Sequence, residues 1–370
     1  MSFLEERIQK TCEQLWQTAH QKLYDIDQLE YVEADGYKSS NDFPREGWKP
    51  FPAGSRVHGY DGHFWFRCTL RTPAAKKNTT YYVKYLTGFE GKWDATNPQG
   101  LVYANGEMVQ GCDTNHTDVY LEADTEYTLH NYFYVGLTER WIPLQASLYA
   151  LEERSEQLYY DMQVALDSAK LLHSNSDEYI AIMSALEQTA NLLDLRDPGS
   201  DAYYQSLEAA IAYIDDELYT KLCTTEGKPV VSCIGHTHID VEWLWARAQT
   251  REKIQRSFAT AATLMKRYPE YLFMLSQPEL YRYLKEEAPE KYRELKELVK
   301  QGRWEPEGAM FVESDCNLIS GESIVRQILQ GKQFFREEFG VDCKVLFLPD
   351  VFGYSAAMPQ ILTKCGIATL

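Results

Sequence analysis

Between about residues 57 and 135, apolar and polar side chains alternate in short runs. Phe64-Trp65-Phe66-Arg67-Cys68-Thr69-Leu70 and Tyr81-Tyr82-Val83-Lys84-Tyr85-Leu86 are aromatic and β-branched stretches bounded by turn residues. Such side chains suit a pleated, half-buried surface, so each run predicts a strand. Residues 101–104 and 107–110 flank Asn105-Gly106. Both turn residues tolerate φ > 0, which predicts a type I′ hairpin. The stretch reads as an antiparallel β-sandwich with its aromatic side chains in the core.

The period then lengthens. From about 145 to 222, Leu151, Leu158, Met162, Ala165 and Leu172 mark one helical stripe, and Ile180, Met183, Leu186, Leu192 and Leu193 mark a second. Arg196-Asp197-Pro198-Gly199-Ser200 interrupts the pattern before a further helix at about 202–222. Packing of helix on helix accounts for these stripes, and the region reads as a connector. Residues 1–16 carry Glu5, Glu6, Arg7, Lys10 and Glu13 among apolar positions and read as an amphipathic helix.

A third texture starts near 226. Val230-Val231-Ser232-Cys233-Ile234-Gly235 predicts a buried strand, followed by a helix at about 242–267. Leu272-Phe273-Met274-Leu275-Ser276 predicts a second strand, with a charged helix to about 301. Residues 304–312 read as a third strand with its helix at 321–339, and 344–348 as a fourth with a helix at 358–365. Residues 367–370 look like the opening of a fifth. Repeated βα units imply parallel strands with chemistry at their carboxyl ends. The expected division is an N-terminal helix (1–30), a β-sandwich (31–144), a helical connector (145–225) and the first half of a (β/α) barrel (226–370). Four or so barrel strands cannot close and would leave an apolar edge, so the chain is expected to be the amino-terminal part of a longer protein.

Composition narrows the classes. The chain has 370 residues, 44% hydrophobic and 25% charged, an ordinary globular balance that excludes collagen-like and disordered classes. Its formal net charge of −18 repels nucleic acid and anionic membranes, so neither is an expected partner. No run of apolar residues is long enough to span a bilayer, and the first helix lacks the uninterrupted apolar core of a signal peptide. The eight cysteines are scattered without a CxxC pair and read as reduced, mostly buried side chains. A cytoplasmic location is expected, which makes the glycosylation-type motifs at Asn78 and Asn115 accidental.

The strand ends carry the candidate chemistry. The first presents Gly235-His236-Thr237-His238-Ile239-Asp240, with Trp243 and Trp245 beyond; the fourth presents Pro349-Asp350-Val351-Phe352-Gly353-Tyr354-Ser355. His238 and Asp240, two residues apart in an extended segment, point to one side and could share a metal ion that Asp350 reaches from the fourth strand. An imidazole with two carboxylates suits Zn²⁺ or a similar divalent transition metal. A lone His-x-Asp pair is more often a solvated loop; the acid at a second strand end favours the metal. His236 reads as a hydrogen-bonding neighbour rather than a ligand. Glu307, Glu313 and Asp315, near the third strand's end, are lesser candidates for substrate contact.

These residues resemble the signature of glycoside hydrolase family 38, the retaining α-mannosidases, in its bacterial and cytosolic branch. The resemblance rests on residues 235–245 together with Gln277-Pro278, Gly302-Arg303-Trp304-Glu305-Pro306-Glu307-Gly308, Asp315-Cys316-Asn317-Leu318 and Leu348-Pro349-Asp350-Val351-Phe352-Gly353-Tyr354-Ser355. It covers about 229–370 densely and the preceding regions more weakly. It implies that His238 and Asp240 are zinc ligands and that Asp350 is both zinc ligand and catalytic nucleophile. Trp243 would stack beneath the mannose ring, and Phe352 would line the same subsite. Glu242 stands where many members carry a small residue. An α-mannoside glycan as substrate is implied, and homo-oligomeric assembly is common among the family's larger members.

Rival readings remain. An HxH pair after a first strand also fits metal-dependent amidohydrolases, and the partial barrel fits a polysaccharide deacetylase. Both need downstream histidines, and none of the eight histidines lies beyond His238. The same count leaves open a non-catalytic carbohydrate-binding chain, because the family's fourth ligand, a histidine, and its general acid, an aspartate, have no counterpart assigned here.

Overall fold

The computed structural model of the chain describes residues 2–36, 43–91, 98–223 and 230–370. The first helix, Phe3–Ala19, begins at a reciprocal cap in which Ser2 accepts from the Glu5 N–H and Glu5 accepts from the Ser2 N–H. It ends where His20–Asp25 becomes a strand paired antiparallel with Gln145–Glu152. The helical region expected through residue 30 and the helical texture expected from 145 therefore both give way to strand. Pairing across more than a hundred residues of sequence decides this, and no local periodicity reports it.

Two antiparallel sheets form the sandwich. One runs in the order Lys49–Pro50, Glu30–Ala34, His63–Arg71, Glu126–Tyr134, Gln99–Ala104, Glu107–Cys112. The other runs His20–Asp25, Gln145–Glu152, Thr79–Leu86, Asp118–Leu121. Phe66, Val83, Val102 and Leu148 are among the buried residues between them. The hairpin at Asn105-Gly106 has φ of 51° and 88°, the two positive angles that a type I′ turn requires.

Helices Glu153–Lys170, Asp177–Leu192 and Asp201–Ile214 follow, the last passing into a π-helical turn at Asp215–Leu222. Ile8, Leu158, Met162, Leu186 and Leu207 share one core, so the first helix packs with these three. The stripes are only partly inside: Leu172, Ile180 and Leu192 are exposed, and Leu151 belongs to a strand.

The C-terminal region contains a parallel three-stranded sheet, Gly235–His236, Phe273–Leu275 and Trp304–Pro306 in that order. It is extended by parallel bridges from Gly308 to Leu346 and from Val345 to Thr369. Helices alternate with these strands: Arg247–Arg267, Pro278–Glu287, Pro289–Lys300, Gly321–Phe339 and Met358–Lys364. Two expected strands are much shorter than the sequence suggests. Residues 307–312 are not strand, and the 344–348 run makes only bridges. The expected buried strand at 230–235 is corrected most sharply. Val230 is 88% and Val231 81% exposed, and pairing begins only at Gly235. An apolar run becomes a buried strand where neighbours cover its faces, and this one lies at the sheet's end, with a hydrogen-bonded neighbour on one side alone.

The sandwich and the parallel sheet share a core. Trp65, Tyr103, Met108 and Tyr132 join Phe258, Phe273 and Trp304 in one cluster. The Arg247–Arg267 helix lies against strand Glu107–Cys112, where Gly111 lets the two backbones approach: a Cβ there would sit 2.7 Å from that of Arg256.

Candidate functional site

The segment following the first parallel strand carries the site. Gly235, in that strand, leaves room for the Tyr271 side chain, whose hydroxyl end a Cβ there would displace. His236 turns toward the second strand, its Nδ1 3.0 Å from the Met274 carbonyl oxygen, with the Phe347 ring edge-on at 4.8 Å. His238 turns instead to the carboxylates. Its Nε2 is 3.2 Å from Asp240 Oδ1 and 3.8 Å from Asp350 Oδ2, and ligand atoms of all three residues lie within 4.8 Å of one another.

Asp350 arrives from a loop with little regular structure. The loop is anchored by the Leu346 N–H on the Thr369 carbonyl at 2.8 Å, and by the Tyr354 hydroxyl on the Leu348 carbonyl at 3.4 Å. Gly353 has φ of 131°, which strains any other residue, and a Cβ there would also displace the Asn317 amide, whose Nδ2 lies 2.7 Å away. Trp243 and Phe352 are exposed, at 52% and 84%. Trp243 packs edge-on to Trp245 at 5.4 Å, and Trp245 is itself held by its Nε1–H to Thr250 Oγ1 and by the Lys253 ammonium 4.1 Å over its ring. A cavity of about 300 Å³ beside His238 is also lined by Asp113, His116, Lys253 and Arg256, so the sandwich contributes to the walls near the site.

The three acids near the third strand separate in space. Glu307 accepts from the N–H groups of Gly308 and Val345, and Asp315 from those of Asn317 and Leu318; both brace backbone. Glu313 alone faces the cluster, its Oε2 3.0 Å from His238 Nδ1. Beside Glu313 first, and Asp240 next, the His238 imidazole has its pKa pushed up to about 9 against the effect of partial burial. The sequence offered no mark distinguishing Glu313 from its two neighbours. Gln277 was noted only within a motif; here it is buried, at φ 63°.

The donor set fits a divalent cation. Three carboxylates surround one imidazole, a net negative cluster. Ligands about 2.0–2.2 Å from a tetrahedral zinc lie roughly 3.4 Å from one another. The His238–Asp240 and His238–Asp350 separations of 3.2 and 3.8 Å bracket that value, and the whole set lies within 4.8 Å. Among the described residues no helix is long and apolar enough to cross a membrane.

The region that carries this cluster has relatives among known proteins. Residues 228–370 match the glycosyl hydrolases family 38 N-terminal domain. Alpha-mannosidase G of Dictyostelium discoideum is 30% identical over 329 residues, covering 82% of this chain and 29% of that protein. Alpha-mannosidase 2C1 of Homo sapiens is 32% identical over 327 residues, covering 82% of this chain and 30% of that protein. An alpha-mannosidase of Saccharomyces cerevisiae is 36% identical over 215 residues, covering 57% of this chain and 20% of that protein. The chain thus spans less than a third of the length of these relatives.

Proposed function

We propose that this chain, whose residues 228–370 belong to the N-terminal domain of the family 38 glycosyl hydrolases, supplies part of the active site of a retaining α-mannosidase. The βα region is read as the first half of a (β/α) barrel, and the substrate as a terminal α-mannosyl residue of a cytoplasmic glycan. The observation that carries the reading is the convergence of His238 and Asp240, just after the strand Gly235–His236, with Asp350 from the loop that follows the bridged residues Val345 and Leu346.

His238, Asp240 and Asp350 would hold the zinc. When bound, the ion supplies positive charge that orients the vicinal hydroxyls of a mannose ring. Of the reacting groups, this chain supplies the nucleophile Asp350; no residue of it is assigned as the general acid. An Asp350 carboxylate oxygen bonds to the anomeric carbon as the glycosidic C–O bond breaks, and the departing oxygen takes a proton from a carboxylic acid. Water, giving a proton back to that same carboxylate, then attacks the mannosyl ester, which restores the acid, the Asp350 carboxylate and the original anomeric configuration. Retaining glycosidases place that acid about 5–5.5 Å from the nucleophile. Trp243 offers the apolar face of the sugar a stacking surface. Phe352, two residues beyond the nucleophile, would line the same subsite.

Asp350→Asn is expected to lower hydrolysis of p-nitrophenyl α-mannoside, by the polypeptide that carries these residues, about 10³-fold or more. Asp240→Asn should remove stoichiometric zinc, measured by elemental analysis after dialysis. Full activity in the Asp350 variant would refute the reading.

A further inference from the structure

We propose that Glu313 is the positioning residue of His238, fixing which ring nitrogen faces Asp240 and Asp350. Glu313 is nearly buried, with only 8% of its side chain exposed, and its Oε2 lies 3.0 Å from His238 Nδ1. Its other oxygen accepts from the Ser276 hydroxyl, so the carboxylate is held at both ends. Its backbone is held as well. The Glu313 N–H donates to Gln277 Oε1 at 3.1 Å, and Gln277 Nε2 donates to the Ile239 carbonyl at 2.8 Å. Ile239 lies between His238 and Asp240, so one buried amide ties the paired ligands to the residue behind them.

The chemistry requires such a group. An imidazole binds a cation through a nitrogen that carries no proton, and its two nitrogens are otherwise interchangeable. A carboxylate at Nδ1 keeps the proton there, leaves the Nε2 lone pair toward the carboxylates, and makes that nitrogen a stronger donor. Glu313 lies at the opposite ring nitrogen from Asp240 and Asp350, so it acts through the imidazole. The contact is an ion pair short of a well-aligned hydrogen bond.

This inference rests on the metal reading above, and the test separates the two. Zn²⁺ affinity of the full chain is measured by competition with a chromogenic chelator, and the visible absorption of the Co²⁺-loaded chain is recorded, for the unmodified protein, E313Q and E313L. The expected result is binding 10–100-fold weaker in both variants, more so in E313L, with an altered Co²⁺ band shape. A merely structural role would leave the band unchanged. If the unmodified chain binds neither ion, the metal reading fails and this inference with it. If the unmodified chain binds and the variants match its affinity and spectrum, only the positioning role is overturned. Should circular dichroism show either variant unfolded, S276A decides. It keeps the carboxylate but frees one end, and a threefold or greater loss of affinity supports the role while unchanged affinity overturns it.

Discussion

At the scale of single residues, burial sets chemistry that composition cannot. His20 follows the first helix, its side chain only 9% exposed, with Nδ1 2.8 Å from the Tyr82 hydroxyl and the Trp16 ring 3.8 Å away. Desolvation lowers its pKa from 6.5 to about 4, with Asp118 opposing the shift and Lys84 and Arg267 adding to it. The folded chain therefore takes up this proton less readily than the unfolded chain. Stability from this group is complete above pH 6.5 and is lost as pH falls toward 4. Urea unfolding at pH 7 and pH 5 should show about 2 kcal/mol more acid loss in the unmodified chain than in His20→Gln. Equal losses would mean that the imidazole is solvated in the fold. A similar lesson applies to the site. His238, Asp240 and Asp350 were legible because their residue types sat at predicted strand ends. Glu313 was not, since only its packing against Ser276 and His238 distinguishes it from Glu307 and Asp315.

At the scale of elements, helices were more legible than strands, because a helix satisfies its backbone within itself. The helix expected at 321–339 is found as Gly321–Phe339, begun by the Ser320 side chain on the Ser323 N–H and ended by Gly340 at φ 74°. Strands close their hydrogen bonds elsewhere in the chain, which is why the local pattern at 230–234 and 307–312 predicts strand where none forms. The same helix carries a sharp constraint. A Cβ at Gly331 would collide with the Ala309 carbonyl oxygen and come within 2.7 Å of the Met310 carbonyl carbon, both backbone atoms that cannot swing aside. Gly331→Ala is expected to cost about 3 kcal/mol by overpacking. Gly340→Ala, strained only by its positive φ, should cost about 1 kcal/mol. Denaturant midpoints order the two, and a smaller loss at Gly331 would show that the helix can shift outward.

For the molecule as a whole, the sandwich is part of the wall beside the site. Its strands and the Arg247–Arg267 helix share one core, and a buried polar seam runs through it. The Tyr132 hydroxyl lies 2.6 Å from His63 Nδ1 and 3.2 Å from Glu252 Oε1. Burial pushes the Glu252 carboxyl up to about 7. Amide hydrogen exchange at residues 101–108 and 254–262 is expected to report one common opening free energy. Gly111→Val, which presses on Arg256, should lower it in both segments together by about 2 kcal/mol. Separate opening energies in the unmodified chain would make the sandwich and the βα region independent.

The sequence by itself determined which kinds of structure follow one another and which residue types could do chemistry. Both are written in local periodicity and in motif spacing. It also marked the hairpin at Asn105-Gly106 and the helix at 321–339, where turn and cap residues act within a few positions. Only the tertiary structure decided that 20–25 and 145–152 pair as strands, and that 230–234 stays uncovered. It alone turned Glu313, rather than Glu307 or Asp315, toward His238. Those outcomes depend on contacts between segments far apart in the chain, and such contacts leave no signature in the pattern of either segment alone.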